Sequence, residues 1–431
     1  MNPQALELNQ IVQSENPAIY EMLSQRGKAI FFPKKGILGQ TADAKGTKIN
    51  ATIGAAVEDD NSPMRLEAIA SKINLDPSLV FPYAPSFGRP DIRAKWKNML
   101  YKKNPSLDGT EVSLPVVTNA LTHGASMVGY MFVDEGEEVI APSLFWGNYN
   151  LILNHAYGSK IGTFKLFNNS GGFDIDAFKA KLNEGGIGKK IVMLNFPNNP
   201  SGYSPTFAEV DAIVDAIKES AEKGNKIVAI NDDAYFGLVY EEGVATESVF
   251  TKLATIHENV LAIKIDGPTK EDYVWGFRVG FITYAVKGGT PALYSALESK
   301  TAGAVRGNIS NASNLSQSLL IQAFDNTDYD KQKAAKYEIM KKRFDAVKEA
   351  LKDGKYSDCF TALPYNSGYF MCIKLAEGID GEALRKTLIE KYSIGIINLN
   401  NIIRIAFSGV SAGEIKMMFD GIYNACNDVK E

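Results

Sequence analysis

The strongest constraint on how this chain can fold is a set of short apolar runs recurring through its middle. They read "VSLPVVT" (112–118), "EEVIAPS" (137–143), "KIVMLNF" (190–196), "KIVAIND" (226–232), "VLAIKID" (260–266) and "VGFITYAV" (279–286). Their apolar residues stand largely side by side instead of alternating, which suits strands buried on both faces, as in a parallel sheet. Amphipathic segments separate them. In one, Phe207, Val210, Ile213, Val214 and Ile217 repeat at helical spacing, with a Thr206–Glu209 capping box ahead and Gly224 where a helix would stop. Strands alternating with helices predict an α/β fold whose mostly parallel central sheet lies in a large domain, residues 60–310. Past that point the texture changes to a long charged helix over Tyr329 to Leu351, then "SGYFMCIKL", a second helix and "IINLNNIIRIAF". This predicts a smaller α+β domain formed by both chain ends, 1–59 and 311–431, because the first sheet run begins only after about residue 110.

Polar residues gather where the apolar runs stop, and in such sheets ligands bind beyond the carboxyl ends of the strands. The run 190–196 leads into "NFPNNPSG" with Asn199, and 226–232 into "NDDAYFG" with Asp232 and Tyr235. The run 260–266 leads into "GPTK" with Thr269 and Lys270, and Arg278 follows eight residues later. "TNALTHGAS", holding Leu121 and Thr122, is a strand-to-helix turn whose free N–H groups suit an anion, and "LFWGNY" supplies Trp146. A lysine, a carboxylate, an anion pocket with an arginine, an aromatic plate and amide and phenol donors together call for pyridoxal 5'-phosphate. Its aldehyde needs a lysine and its protonated ring nitrogen an aspartate. Its phosphate suits helix-terminal N–H groups and an arginine fork.

Composition narrows the alternatives. The chain has 431 residues, 45% hydrophobic and 22% charged, with a net charge of -4 and both signs interspersed. That balance gives no nucleic-acid footprint, and no apolar run is long enough to span a membrane. The N-terminus lacks an apolar signal region, and Cys359, Cys372 and Cys426 are scattered, so a reducing, cytoplasmic setting is expected. His123, His155 and His257 are too sparse for a metal cluster.

With these motifs in order, the chain resembles the class I and II aminotransferase family of fold-type I pyridoxal-phosphate enzymes, and within it the aspartate aminotransferase branch. "NNPSG" resembles the family's Asn-Pro-Thr-Gly signature, "DDAYFG" its Asp-x-Ala-Tyr signature, Lys270 with Arg278 its cofactor lysine and phosphate arginine, and "RIAF" its late arginine motif. The resemblance implies that Lys270 forms the Schiff base and moves the Cα proton, that Asp232 pairs with the pyridine N–H, and that Tyr235 and Asn199 donate to the ring oxygen. It implies that Arg404 grips the substrate carboxylate near Gly54, that Trp146 stacks on the ring, and that Leu121, Thr122 and Arg278 hold the phosphate. Tyr83, in "YAPSFGRPDIR", resembles a tyrosine reaching the phosphate from a neighbouring subunit, which implies a homodimer with active sites at the interface. Arg306, with Ser310 and Asn311, resembles the arginine that binds a side-chain carboxylate across that interface, favouring aspartate or glutamate with a 2-oxo acid; a plain surface arginine is the alternative. The chain departs from the pattern twice. Gly267 stands where a phosphate-binding serine or threonine is usual, with Thr269 as a substitute, and "ALTHGA" lacks the usual leading glycine. A lyase on the same scaffold (β-eliminating or cyclising) and an aminotransferase of aromatic or neutral amino acids are the competing readings.

Overall fold

The computed structural model describes residues 1–31 and 36–430. Seven strands form the main sheet: β1 (Val116–Thr118), β2 (Glu138–Pro142), β3 (Lys160–Phe164), β4 (Lys189–Asn195), β5 (Lys226–Asp232), β6 (Val260–Asp266) and β7 (Gly280–Ala285). Their spatial order is β1-β7-β6-β5-β4-β2-β3. Neighbours from β6 through β3 run parallel, while β7 is antiparallel to both β6 and β1.

The side-by-side apolar residues have the expected cause. On β4, Ile191 and Met193 face one apolar core while Val192 and Leu194 face another, and on β5 and β6 the same alternation holds. Both faces are covered, so neither can be polar. The helix Phe207–Glu222 covers one face with Val210, Ile213, Val214 and Ile217. Its capping box is closed, with Thr206 N–H donating to Glu209 at 2.8 Å and Glu209 N–H donating to the Thr206 hydroxyl at 3.3 Å. Gly224 takes a left-handed φ of +104° just past its end.

Within the main sheet, sequence and structure differ at three places. The strand Lys160–Phe164 is not read from sequence, because only three of its five residues are even half-shielded in an alternating way at the sheet edge. The run 112–118 contributes only Val116–Thr118 to the sheet, since Pro115 has no N–H for a ladder bond. The run 279–286 is buried as expected yet antiparallel. Periodicity reports burial and not direction; here β6 turns into β7 without the long helical crossover a parallel neighbour requires.

A second, antiparallel sheet lies in the smaller domain. Its strands are β8 (Phe360–Ala362), β9 (Met371–Leu375), β10 (Ile397–Leu399) and β11 (Ile402–Ile405), in the order β10-β11-β9-β8. The long helix occupies Tyr329–Leu351 and buries Met340, Phe344 and Val347. The chain's beginning joins this part. Ile49–Asn50 pairs in parallel with Ile394–Gly395, and the Gln40 amide exchanges bonds of 2.9 and 2.7 Å with the Asn398 backbone. Ahead of it stand the helices Pro3–Glu15, Pro17–Met22, Gln25–Ala29 and Ile37–Asp43.

Thr206→Ala removes the side-chain half of the capping box. It should cost about 1 kcal/mol, read as a lower urea midpoint at an unchanged slope.

Candidate active site

The parallel strands end level with one another. Asn195, last on β4, stands opposite Asp232, last on β5, and Asp232 opposite Ile265 of β6. The polar residues that follow therefore face one cleft of about 1820 Å³. Asn195, Asn199, Asp232, Tyr235, Thr269, Lys270 and Arg278 all line it.

Asn195 ties two strand ends together. Its amide donates to the Asp232 carbonyl at 2.8 Å and its carbonyl accepts Asn199 N–H at 2.9 Å. Asn199 in turn hydrogen-bonds the Tyr235 hydroxyl. Burial pushes that phenol upward, and nearby Arg404 pulls it back.

Asp232 is 4% exposed. It accepts the Tyr149 hydroxyl at 2.5 Å and Ala234 N–H at 3.1 Å. Burial raises its carboxyl above the ordinary value, opposed by the Tyr149 bond and by the Lys270 charge. The adjacent Asp233 faces away and pairs with fully buried Lys264, which also lies 3.2 Å from Asp266. Two consecutive acidic residues thus have separate fates, one neutralised inside the protein and one presented to the cleft.

Lys270 sits in the helical turn Pro268–Glu271. Burial, with a contribution from Arg278, pushes its amine down to about 8, against the pull of Asp232. Its Nζ lies 5.0 Å from the Tyr235 ring centre. The turn is anchored on its far side. Glu271 meets Lys103 at 2.9 Å and Lys333 at 3.0 Å, Asp272 meets Lys333 at 2.8 Å and the Tyr329 hydroxyl at 2.7 Å, and Tyr369 donates to the Lys270 carbonyl at 2.8 Å.

Gly267 has a steric explanation. Its φ of 164° is ordinary extended backbone, but an added Cβ would lie 2.8 Å from the Val279 carbonyl oxygen and 3.0 Å from Gly280 Cα. A serine does not fit, so the position cannot carry the expected hydroxyl. Thr269 Oγ1 is buried and without a hydrogen-bond partner among the described residues. The missing glycine of "ALTHGA" is explained differently. Ala120 adopts a left-handed φ of +62°, so the turn keeps the glycine-like backbone while carrying a methyl group. Leu121 and Thr122 follow it into the cleft wall. Arg278 is also left-handed, at +55°, and donates to the Trp275 carbonyl at 3.1 Å.

Arg404, on β11, brings the smaller domain into the same cleft. It is buried, donates to the Thr52 carbonyl at 2.7 Å, lies 4.5 Å from the Phe370 ring centre, and leaves its Nε without a partner. Gly54 approaches closely here, since a Cβ on it would stand 3.2 Å from Phe370. Trp146 lines the cleft and packs edge-on against Tyr149 at 5.6 Å. Two expected residues lie elsewhere on this chain. Tyr83 is 90% exposed, and Arg306 is exposed and donates to Ser310 at 2.9 Å; neither lines this chain's cleft. Sequence reasoning missed Tyr149, Asn195 and the Lys103–Glu271–Lys333–Asp272 cluster. Tyr149 carries no signal beyond following Trp146 by three residues, and the cluster joins residues far apart in sequence.

The donor set fits pyridoxal 5'-phosphate. A buried carboxylate faces a depressed lysine, while an arginine, an unpartnered hydroxyl and a left-handed strand-to-helix turn gather beside them. Among the described residues, no group of three His, Cys, Asp or Glu side chains is placed to hold a metal, and no helix is long and apolar enough to cross a membrane.

Comparisons with known proteins bear on the family and the fold. Residues 47–422 match the family model described as aminotransferase class I and II. A probable aspartate/prephenate aminotransferase of Aquifex aeolicus is 25% identical over 206 residues, covering 46% of this chain and 48% of that protein, so the match spans about half the relative's length. The same named protein of Rickettsia conorii is 23% identical over 335 residues, 76% of each chain. Among solved structures, an aminotransferase from Anaerococcus prevotii superposes with a TM-score of 0.83 at 24% identity, covering 94% of this chain and 99% of that one. The cytoplasmic aspartate aminotransferase of Saccharomyces cerevisiae gives 0.75 at 20% identity, covering 93% and 98%. At these identities the likeness is one of fold.

Two outcomes follow from the site's geometry. Gly267→Ser should destabilise the protein by about 1–3 kcal/mol in chemical denaturation and fail to tighten cofactor binding. The rate at which the cofactor-free protein captures an aldehyde at Lys270, followed by borohydride trapping, should rise with pH to half-maximum near 8, because the neutral amine forms above that value. An ordinary exposed lysine would reach it near ~10.4.

Proposed function

The chain belongs to the class I and II aminotransferase family, and from that premise we propose that it moves an amino group between an α-amino acid and a 2-oxo acid. The observation that carries this reading is the pairing, in one buried cleft, of Lys270 with Asp232, and of both with the half-free guanidinium of Arg404.

Pyridoxal 5'-phosphate, when bound, supplies an aldehyde and a ring that draws electrons from Cα. The chain's residues do the rest. Asp232 accepts the ring N–H, and its charge favours keeping the proton there. Asn199 and Tyr235 donate toward the ring oxygen, and Trp146 forms the wall against the ring face. Arg278, Thr269, Thr122 and the Leu121 backbone hold the phosphate, with Thr269 standing in for the hydroxyl Gly267 cannot carry. Arg404 fixes the amino acid by its carboxylate through Nε and an Nη, beside Gly54. Lys270 Nζ, neutral over part of the physiological range, takes the proton from Cα and returns it on the other side of the transfer. The same amine would serve both half-reactions in turn at a single site, which the first product leaves before the second substrate enters, the order of ping-pong kinetics.

Tyr83 and Arg306 extend the reading to a homodimer. Both are exposed on their own chain, consistent with each completing a partner's site. Arg306 would then meet a side-chain carboxylate, favouring aspartate or glutamate. The names of the relatives support that preference. A cytoplasmic setting is part of the same reading, supported by three buried free cysteines. A lyase on this scaffold would share every cofactor residue, but would have no use for a second carboxylate clamp.

A half-reaction screen tests the proposal. Mixing the cofactor-loaded protein with single amino acids should convert its absorbance band with aspartate or glutamate, and Lys270→Ala should abolish the lysine-linked band. Arg404→Lys should raise KM about 30- to 150-fold by losing a bidentate contact worth ~2–3 kcal/mol. Arg306→Ala should weaken aspartate and glutamate selectively. Pyruvate release from a β-substituted amino acid without any 2-oxo acid would favour the lyase instead.

A further inference from the structure

Tyr149 takes no part in the reading above, yet it makes the shortest polar contact with Asp232. Its hydroxyl donates to Asp232 Oδ2 at 2.5 Å, and the residue is 1% exposed. The ring cannot easily swing away. It lies parallel to Phe145 at 6.3 Å and edge-on to Trp146 at 5.6 Å, and Tyr149 N–H donates to the Trp146 carbonyl at 2.9 Å. Tyr149 therefore joins the aromatic wall of the cleft to the carboxylate at the end of β5.

We propose that Tyr149 is a positioning residue that holds Asp232 as an aimed anion, so that a proton shared between Asp232 and a bound pyridine ring stays on the ring nitrogen. The inference rests on the cofactor reading. The physical reason is competition for one proton. A buried carboxyl group with few donors takes a proton itself, because its charged form is poorly solvated. Here Ala234 N–H donates to Oδ1 and Tyr149 to Oδ2, leaving further lone pairs on both oxygens for a third donor. Hydrogen bonds to the charged form are the stronger ones and favour that form.

The other charged and titratable groups around Asp232 do not perform this task. Asp233, next along the strand, opposes the charge but is tied to Lys264. Lys270, from the turn after β6, favours the charge only while its own amine is protonated, a state it must leave before it can act as a base. The Tyr235 hydroxyl hydrogen-bonds Asn199 instead. Tyr149 is a donor throughout, since burial and Asp232 raise its phenol far above the ordinary range, so it does not ionise. The role differs from a structural one in its signature. It moves the site of a proton, whereas packing alone would move only the melting temperature.

The test uses the cofactor-loaded protein with pyridoxal 5'-phosphate labelled with nitrogen-15 in the ring. Wild type should give a pyridinium signal, and Tyr149→Phe a signal displaced toward neutral pyridine, with cofactor affinity lowered about 10- to 100-fold. Tyr149→Gln, a weaker donor, should give an intermediate signal, and it serves where the phenylalanine variant does not fold. A wild-type nitrogen signal in either variant overturns the inference alone. Failure of the wild-type protein to bind the cofactor overturns the reading beneath it, and the inference with it.

Discussion

Everything at the cleft depends on one unfavourable act, the burial of the Asp232 carboxylate beside the Lys270 amine. Neither group is solvated well, so each is pushed toward its neutral form, Asp232 upward and Lys270 down to about 8. The two effects partly cancel because the charges face each other. What remains is a lysine that can shed its proton near neutral pH and a carboxylate still able to accept a hydrogen bond. Hydrogen bonds from Tyr149 and Ala234 N–H to the carboxylate oppose its rise. The strand ends supply the geometry, since Asn195, Asp232 and Ile265 lie in register across three parallel strands.

Around that pair the backbone is packed with little room to spare. The end of β6, the start of β7 and the turn before helix Ala120–Phe132 meet almost backbone to backbone. A Cβ on Gly280 would stand 2.6 Å from the Ala120 carbonyl carbon, and one on Gly267 2.8 Å from the Val279 oxygen. The close approach brings the Lys270 turn and the Leu121–Thr122 turn to one place. Its cost is a hydroxyl at Gly267, while the nearby Thr269 hydroxyl is buried and without a hydrogen-bond partner among the described residues. A left-handed alanine costs on the order of 1 kcal/mol relative to glycine, and the surrounding contacts over-determine the turn.

The Lys270 turn is also held from behind. Burial would raise Glu271, but Lys103 and Lys333 hold it well below the usual carboxylate range. Lys333 belongs to the long helix Tyr329–Leu351, so the turn bearing the amine is fastened to an element that continues into the smaller domain. Arg404 arrives from that domain on β11. The two halves of the cleft thus share an anchor as well as a boundary.

The sequence by itself determined the buried strands, the capped helix, the long charged helix and the polar residues at each strand end. These are local properties: apolar runs report burial on both faces, and turn chemistry reports where a strand stops. That Asn199, Asp232, Tyr235, Lys270 and Arg278 line one cleft was legible because they follow three of the apolar runs, and strands of one sheet end together; Arg404, on a strand of the second sheet, was legible only through its resemblance to the family's late motif. Direction was not legible, as the antiparallel β7 shows, because burial has no sign along the chain. Nor were Tyr149, Asn195 or the Lys103–Glu271–Lys333 cluster, whose meaning lies in partners tens to hundreds of residues away. Gly267 divides the two most sharply. Sequence marks it as a missing hydroxyl, and only tertiary structure gives the reason, a carbonyl oxygen of the next strand occupying the space a side chain would need.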